Sequence, residues 1–315
     1  MINKPALPPF LRKNDTIGLT CPAGPVRDKR LLNIGTRIIE DMGFQVIIKG
    51  AFQYSGHYLA DRDEQRAKSL LSLWSDEKVK AIMAIRGGFG SMRLLPHLNM
   101  ERLQQRPKML IGFSDISALL SGLTGRGNMT AVHGPVVTSL ARLSPANLEQ
   151  VFSLLTGNLT DIKAPELEIL RKGEKVRGKL IGGNLTTLVH LINTPWDCAW
   201  DDCILLLEDT GEALYRLDRM LTQLALSGRF DNLAGILLGS FDTGHDNDAL
   251  NYLRTQEYIW QRILELTAHT LCPVWGNFPS GHYRDNYALP LGMDASMNSR
   301  QGLLHLHPDS VLPVY

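Results

Sequence analysis

Cysteine is scarce in this sequence. Four among 315 residues cannot build a disulfide framework over such a length, so hydrophobic cores must hold the chain together. Excess charge is also lacking: 33 Lys and Arg against 32 Asp and Glu leave a net charge of +1, with no broad attraction to nucleic acid or anionic membrane. There is no basic run, low-complexity tract or internal repeat. No apolar run approaches the ~20 residues of a membrane span. The opening "MINKPALPPFLRKND" puts prolines where a secretory signal needs a continuous apolar core of ~7–15 residues. The expectation is a soluble cytoplasmic protein without a nucleic-acid or membrane partner.

What is present is ample core material, 44% of the residues being hydrophobic, enough for two domains at ~100–200 residues each. Apolar runs such as "VKAIMAI", "KMLIGF", "CILLLED" and "LAGILLGSF" alternate with helical patterns. That alternation predicts an α/β fold with parallel sheets covered on both faces. In "DKRLLNIGTRIIEDMG", Leu31, Ile34, Ile38 and Met42 share one helical face. In "EALYRLDRMLTQLALSG", Leu214, Leu217, Leu221 and Leu224 do so. "GGNLTTLVHLI" reads as a glycine turn feeding a helix. Around residues 157–180 the texture becomes charged and rich in turn formers, which sets the expected division into domains 1–165 and 166–315.

Ligands of such sheets bind beyond the carboxyl ends of the strands, and several polar groups fall there. Ser114 in "IGFSDIS" stands where a strand turns into a helix, the geometry of a nucleophile elbow. Gly112 supplies the first elbow glycine, but Ile116 replaces the second. Locally, Ser114 and Asp115 as a helix cap is the preferred reading. "IRGGFG" offers backbone N–H donors as a tight turn or an anion hole. Glu208 and Asp209 end an apolar strand, and Glu212 suits the start of the following helix. A strand-end carboxylate can also orient a catalytic imidazole. His282 lies in the loop "PSGHYRD", and His133 in "AVHGPV" is the rival base. Cys198 and Cys203 in "DCAWDDC" match no common zinc spacing, and ordinary packing suits them better. His245, Asp246 and Asp248 in "GHDNDA" read as a solvated loop rather than a metal site.

Taken in order, "IRGGFGSMRLLPHL", "IGFSDISAL", "HGPVV", "GGNLTTLVHLINTPW", "LLLEDTGEALYRLDRMLTQL" and "FPSGHYRDNYALPLG" resemble the LD-carboxypeptidases of the serine peptidase S66 group. That group includes the enzymes of murein peptide recycling and the microcin C immunity peptidases. The resemblance implies an N-terminal domain like the class I glutamine amidotransferases, a smaller swivelling C-terminal α/β domain, and a homodimer. It also implies a Ser–Glu–His triad at Ser114, Glu208 and His282, with an oxyanion hole from the backbone N–H groups of Gly88 and Asp115. No metal or other cofactor is expected. Arg86 and Arg284 are the candidates for holding a terminal carboxylate, a task suited to a guanidinium. The implied substrate is a cytoplasmic murein tetrapeptide losing its terminal D-alanine through an acyl-enzyme, in peptidoglycan recycling. Three alternatives stand beside it: a peptidase for nucleotidyl-peptide conjugates, an ester hydrolase on the same triad, and a non-hydrolytic phosphate- or nucleotide-binding module.

Overall fold

The computed structural model describes residues 4–52, 58–158, 160–244, 249–282 and 285–313. The first half carries strands β1 (Ala6–Leu7), β2 (Thr16–Thr20), β3 (Gln45–Ile48), β4 (Val79–Ala84), β5 (Met109–Gly112) and β6 (Ala131–His133). Its helices are α1 (Lys29–Asp41), α2 (Asp63–Ser75), α3 (Met100–Gln104), α4 (Ser117–Thr124), α5 (Val137–Leu140) and α6 (Pro145–Leu155). The next strands are β7 (Asp161–Lys163), β8 (Glu168–Arg171), β9 (Val176–Asn184), β10 (Cys203–Thr210), β11 (Gly235–Asp242) and β12 (Val274–Gly276). The last four are β13 (Leu289–Leu291), β14 (Asp294–Asn298), β15 (Leu303–His307) and β16 (Leu312–Pro313). Between these strands lie α7 (Leu185–Val189), α8 (Leu214–Leu226) and α9 (Ala249–Leu266).

The fold is α/β, built on two sheets whose centres are parallel. One has the order β13-β6-β5-β4-β2-β3, and the other β7-β15-β14-β9-β10-β11-β12-β8. In the first, β2 to β6 are all parallel and β13 closes the edge antiparallel to β6. The chain leaves β2 toward β3, then returns to β4 on the other side. The loops after β2 and β4 therefore flank the crevice where ligands of such sheets bind. In the second sheet the apolar strands β9 to β12 are parallel and the flanking strands antiparallel.

Alternation along β10 joins the two units. Ile204 and Leu206 belong to the large core shared with the first sheet, whereas Leu205 and Leu207 face the core under α8 and α9. The strand β13 returns from the C-terminal half into the first sheet, pairing Leu289 with His133. Leu217, Leu221 and Leu224 are buried along α8 as the spacing predicts.

Three local expectations are corrected. On α1 the buried residues are Leu32, Gly35 and Ile39, while Ile34 and Met42 are 47% and 45% exposed. The glycine decides this face: a Cβ on Gly35 would lie 2.1 Å from the Val137 carbonyl oxygen, so α1 rests on α5 through bare backbone. Gly182 and Gly183 end strand β9 rather than forming a turn, and a Cβ on Gly182 would meet the Leu206 carbonyl at 2.0 Å. Finally, the charged stretch after residue 160 contains the two edge strands β7 and β8, whose exposed positions carry charged residues, and the start of the interior strand β9. Gly35→Ala must push α1 off α5, and we expect a loss of about 1–3 kcal/mol. A urea melt would show it as a lower midpoint; an unchanged midpoint would contradict the close-contact reading.

Candidate active site

Ser114 follows β5 after a single residue. Phe113 is extended, and Ser114 then adopts a left-handed backbone with φ of 62° before the chain enters a short 3-10 turn and α4. A side-chain-bearing residue in this region is strained and needs its surroundings to hold it. Two glycines permit the turn. A Cβ on Gly112 would meet Ile116 Cγ2 at 2.8 Å, so the isoleucine that replaces the second elbow glycine packs over the first. A Cβ on Gly87 would lie 3.1 Å from Ser114 Cβ and 3.2 Å from its Oγ. The glycine loop after β4 thus abuts the serine.

Asp115 ties that loop to the elbow. Its carboxylate accepts the N–H groups of Gly90 at 3.2 Å and Ser91 at 2.8 Å. Burial raises its pKa, and the Ser91 and Gly90 hydrogen bonds oppose the rise. Gly88 is exposed at the loop's tip with φ of 122°.

Glu208 comes from the end of β10, where the register with β11 shifts between Leu207 and Asp209. Such an irregularity re-aims a side chain. Glu208 is fully buried, and its Oε2 lies 2.7 Å from His282 Nδ1. Its neighbour Asp209 accepts the N–H groups of Thr186 and Thr210, each at 2.7 Å. Burial and then the charge of Glu208 push Asp209 up to about 6.

His282 arrives on the loop after β12. Its N–H donates to Ser240 Oγ at 2.9 Å, and its ring centroid sits 4.5 Å from that of Phe113. A Cβ on Gly281 would collide with Ser240 Oγ at 2.3 Å and approach Glu208 Oε2 at 3.1 Å, so glycine is required for the loop to pass over the acid. Burial by itself would depress the His282 pKa. The charge and hydrogen bond of Glu208, helped by Asp209 and Asp242, outweigh it and raise the pKa above its ordinary value.

Ser114 and His282 line one cavity of about 740 Å³, together with Gly87, Gly88, Arg86 and Asp115. Among the described residues no hydrogen bond joins Ser114 to His282, and Glu208 lies behind the wall. Arg86 is half-buried there, with its guanidinium on the Pro25 carbonyl at 3.2 Å and no carboxylate paired with it among the described residues. Burial and then the Arg27 charge lower its pKa. Arg284 lies outside the described residues, as do His245, Asp246 and Asp248.

The rival base is placed elsewhere. His133 is fully buried, with Nε2 2.9 Å from Ser280 Oγ, and burial drives it down to about 4. It stays neutral and braces the loop that carries His282. Cys198 and Cys203 are buried thiols that burial pushes up to about 11 and about 12. Among the described residues no group of three His, Cys, Asp or Glu could hold a metal, and no helix is long and apolar enough to cross a membrane. The sequence reading missed Arg27 and Arg142, which add positive charge to the same cavity. The first follows a strand-end Pro-Gly loop, a signal that could have found it; Arg142 has none.

Were His282 to serve as a base it would have to be neutral, and its raised pKa would then place the acid limb of reactivity above the usual value near 6.5. Activity should rise with pH through that limb. Asp209→Asn removes a negative charge that favours imidazolium, and should move the limb to lower pH. Rates of Ser114 modification by a fluorophosphonate between about pH 5 and 9 measure this; an unmoved limb contradicts the coupling.

Both halves of the chain are similar to known proteins. Residues 17–134 match the model of the LD-carboxypeptidase N-terminal domain, and residues 177–297 that of its C-terminal domain. The murein tetrapeptide carboxypeptidase of Pseudomonas aeruginosa is 36% identical over 289 residues, covering 85% of this chain and 91% of the relative. The muramoyltetrapeptide carboxypeptidase from Oxalobacter formigenes superposes with a TM-score of 0.76 at 27% identity, over 92% of this chain and 97% of that one. The microcin C7 self immunity protein MccF, in complex with aspartyl sulfamoyl adenosine, gives a TM-score of 0.83 at 23% identity, over 99% of this chain and 100% of that one. This last likeness is one of fold.

Proposed function

Because this chain belongs to the LD-carboxypeptidase family, and is a peptidase of the carboxypeptidase class, we propose that it removes the terminal D-alanine from cytoplasmic murein tetrapeptides during peptidoglycan recycling, acting as a homodimer. The observation that carries the mechanism is the 2.7 Å contact between buried Glu208 and His282, at a cavity that Ser114 also lines.

With Nδ1–H held by Glu208, His282 presents Nε2 as the base. It takes the Ser114 Oγ proton while the oxygen attacks the carbonyl between the L-configured centre of the diamino acid and D-alanine. Glu208 fixes the tautomer and offsets the positive charge that forms on the ring. The oxyanion is received by the backbone N–H groups of Gly88 and Asp115, donors whose individual loss costs ~10²–10³ in turnover. Collapse breaks the peptide bond, and the amine of D-alanine leaves with the proton from His282. Water, deprotonated by the same imidazole, then releases the peptide from Ser114. Arg86, lacking a carboxylate partner among the described residues, is suited to the carboxylate of the leaving D-alanine, with Arg284 as its companion. The two signs of charge on the cavity wall, Arg27 and Arg142 against Asp209 and Glu212, favour a substrate carrying both carboxylates and an ammonium group.

The test is D-alanine release from L-Ala-D-Glu-meso-diaminopimelate-D-Ala by the purified chain, run beside a nucleotidyl-peptide conjugate and a simple ester. We expect release from the tetrapeptide alone. Ser114→Ala should lower turnover at least ~10⁴-fold with its thermal melt unchanged, and Glu208→Gln about 10⁴-fold. Turnover confined to the conjugate or the ester overturns the substrate. An undiminished Ser114→Ala variant overturns the triad.

A further inference from the structure

Arg66, on α2, lies outside the cavity yet is 2% exposed. Its fork is fully engaged. Nη1 donates to the carbonyls of Pro22 and of Gly90, the latter at 2.9 Å, and Nε donates to the Asp61 carbonyl at 3.1 Å. Nη2 meets the Asp63 carboxylate, which also pairs with Arg93 at 2.8 Å.

Two of these carbonyls belong to the loops that flank the crevice. Pro22 lies in the loop after β2, and Gly90 ends the glycine loop after β4. The same two loops are joined once more where Gly24 N–H donates to the Gly87 carbonyl at 3.1 Å. The Gly90 residue is therefore gripped on both sides, its carbonyl by Arg66 and its N–H by the Asp115 carboxylate. Its backbone is left-handed with φ of 101°, and a Cβ there would strike Leu59 Cδ2 at 2.4 Å. Between the fixed points at Gly87 and Gly90 stands Gly88, whose N–H is assigned to the oxyanion.

We propose that Arg66 is a positioning residue for the oxyanion hole: by clamping the Pro22 and Gly90 carbonyls together it holds the Gly88 N–H where charge develops in the transition state. The proposal rests on the Ser114 acyl-enzyme reading. A small displacement of a preorganised donor is costly because catalysis depends on its place before reaction. Lysine cannot substitute, since one ammonium lacks the planar fork that reaches several carbonyls at fixed angles. A purely structural arginine would alter stability and leave the chemistry of the folded enzyme untouched.

The experiment compares wild type with Arg66→Lys, checked for folding by circular dichroism and melting, in two assays. The first is the rate of Ser114 modification by a fluorophosphonate, read by intact mass; this reaction places an oxygen in the oxyanion hole without needing the natural substrate. The second is kcat and KM for peptide hydrolysis. We expect both the labelling rate and kcat to fall about 10²-fold, with KM within about threefold. Folded Arg66→Lys that labels at the wild-type rate, or a loss confined to KM, overturns the clamp alone. A wild-type protein that resists labelling overturns the triad reading and the clamp with it. If Arg66→Lys does not fold, Arg66→Ala supplied with millimolar guanidinium is the second test. Labelling that returns with guanidinium supports the clamp; a restored fold without restored labelling overturns it.

Discussion

Burying a carboxylate is tolerated only where a partner and hydrogen bonds offset its desolvation. Glu208 is fully buried, and its Oε2 meets the His282 ring at 2.7 Å. Much of the local architecture serves this pair. The irregular register of β10 turns the acid toward the loop, Gly281 lets the loop cross above it, and Ser240 Oγ fixes the His282 backbone. Neutral His133 braces Ser280 from below. A charged group at that point would add repulsion to the His282 imidazole, which the proposed mechanism protonates, and burial prevents it.

The pair belongs to the C-terminal half, but its reference frame does not. A few residues beyond His282 the chain is fastened to α6, which lies in the first half. Asn147 bonds both the N–H and the carbonyl of Asn286, at 2.7 and 3.3 Å. Gln150 does the same for Ala288, at 2.8 and 2.9 Å. The chain then enters β13 and joins the first sheet beside β6. Two amide side chains and one strand thus tie the histidine's loop to the first half, whose strand β5 leads into Ser114. Glu208 approaches from the other sheet, so the site is assembled across the seam from parts anchored on both sides.

Much of this was legible in the sequence, and the gaps have physical causes. Buried parallel strands read as apolar runs, so β4, β5, β10 and β11 and the α/β class follow directly. The edge strands β7 and β8 do not read as strands, because solvent-facing positions carry charge and the alternation is short. Gly35 looks neutral in a helical pattern yet decides which face of α1 is buried, through a contact with α5 about a hundred residues away. The elbow at Ser114 lacks the usual second glycine, and only the packing of Ile116 over Gly112 shows why the turn survives. Glu208 and His282 are individually ordinary; their meeting is a matter of topology, and the ordered motifs supplied it where spacing could not. Arg66 reads as one more charge in the first turn of a helix. Its donors reach loops on either side of it in the chain, a convergence that no local pattern announces.

The central claim is that a hydroxyl fixed to one sheet and an imidazole steadied from the other act as one chemical unit. Rapid-quench mass spectrometry of the enzyme with a slowly released peptide ester tests it most directly. The account predicts a transient adduct equal in mass to the acyl half of the substrate, mapped to Ser114, whose formation slows steeply when His282 is replaced by alanine. An adduct on any other residue, or one that forms on Ser114 at the same rate without His282, would contradict it.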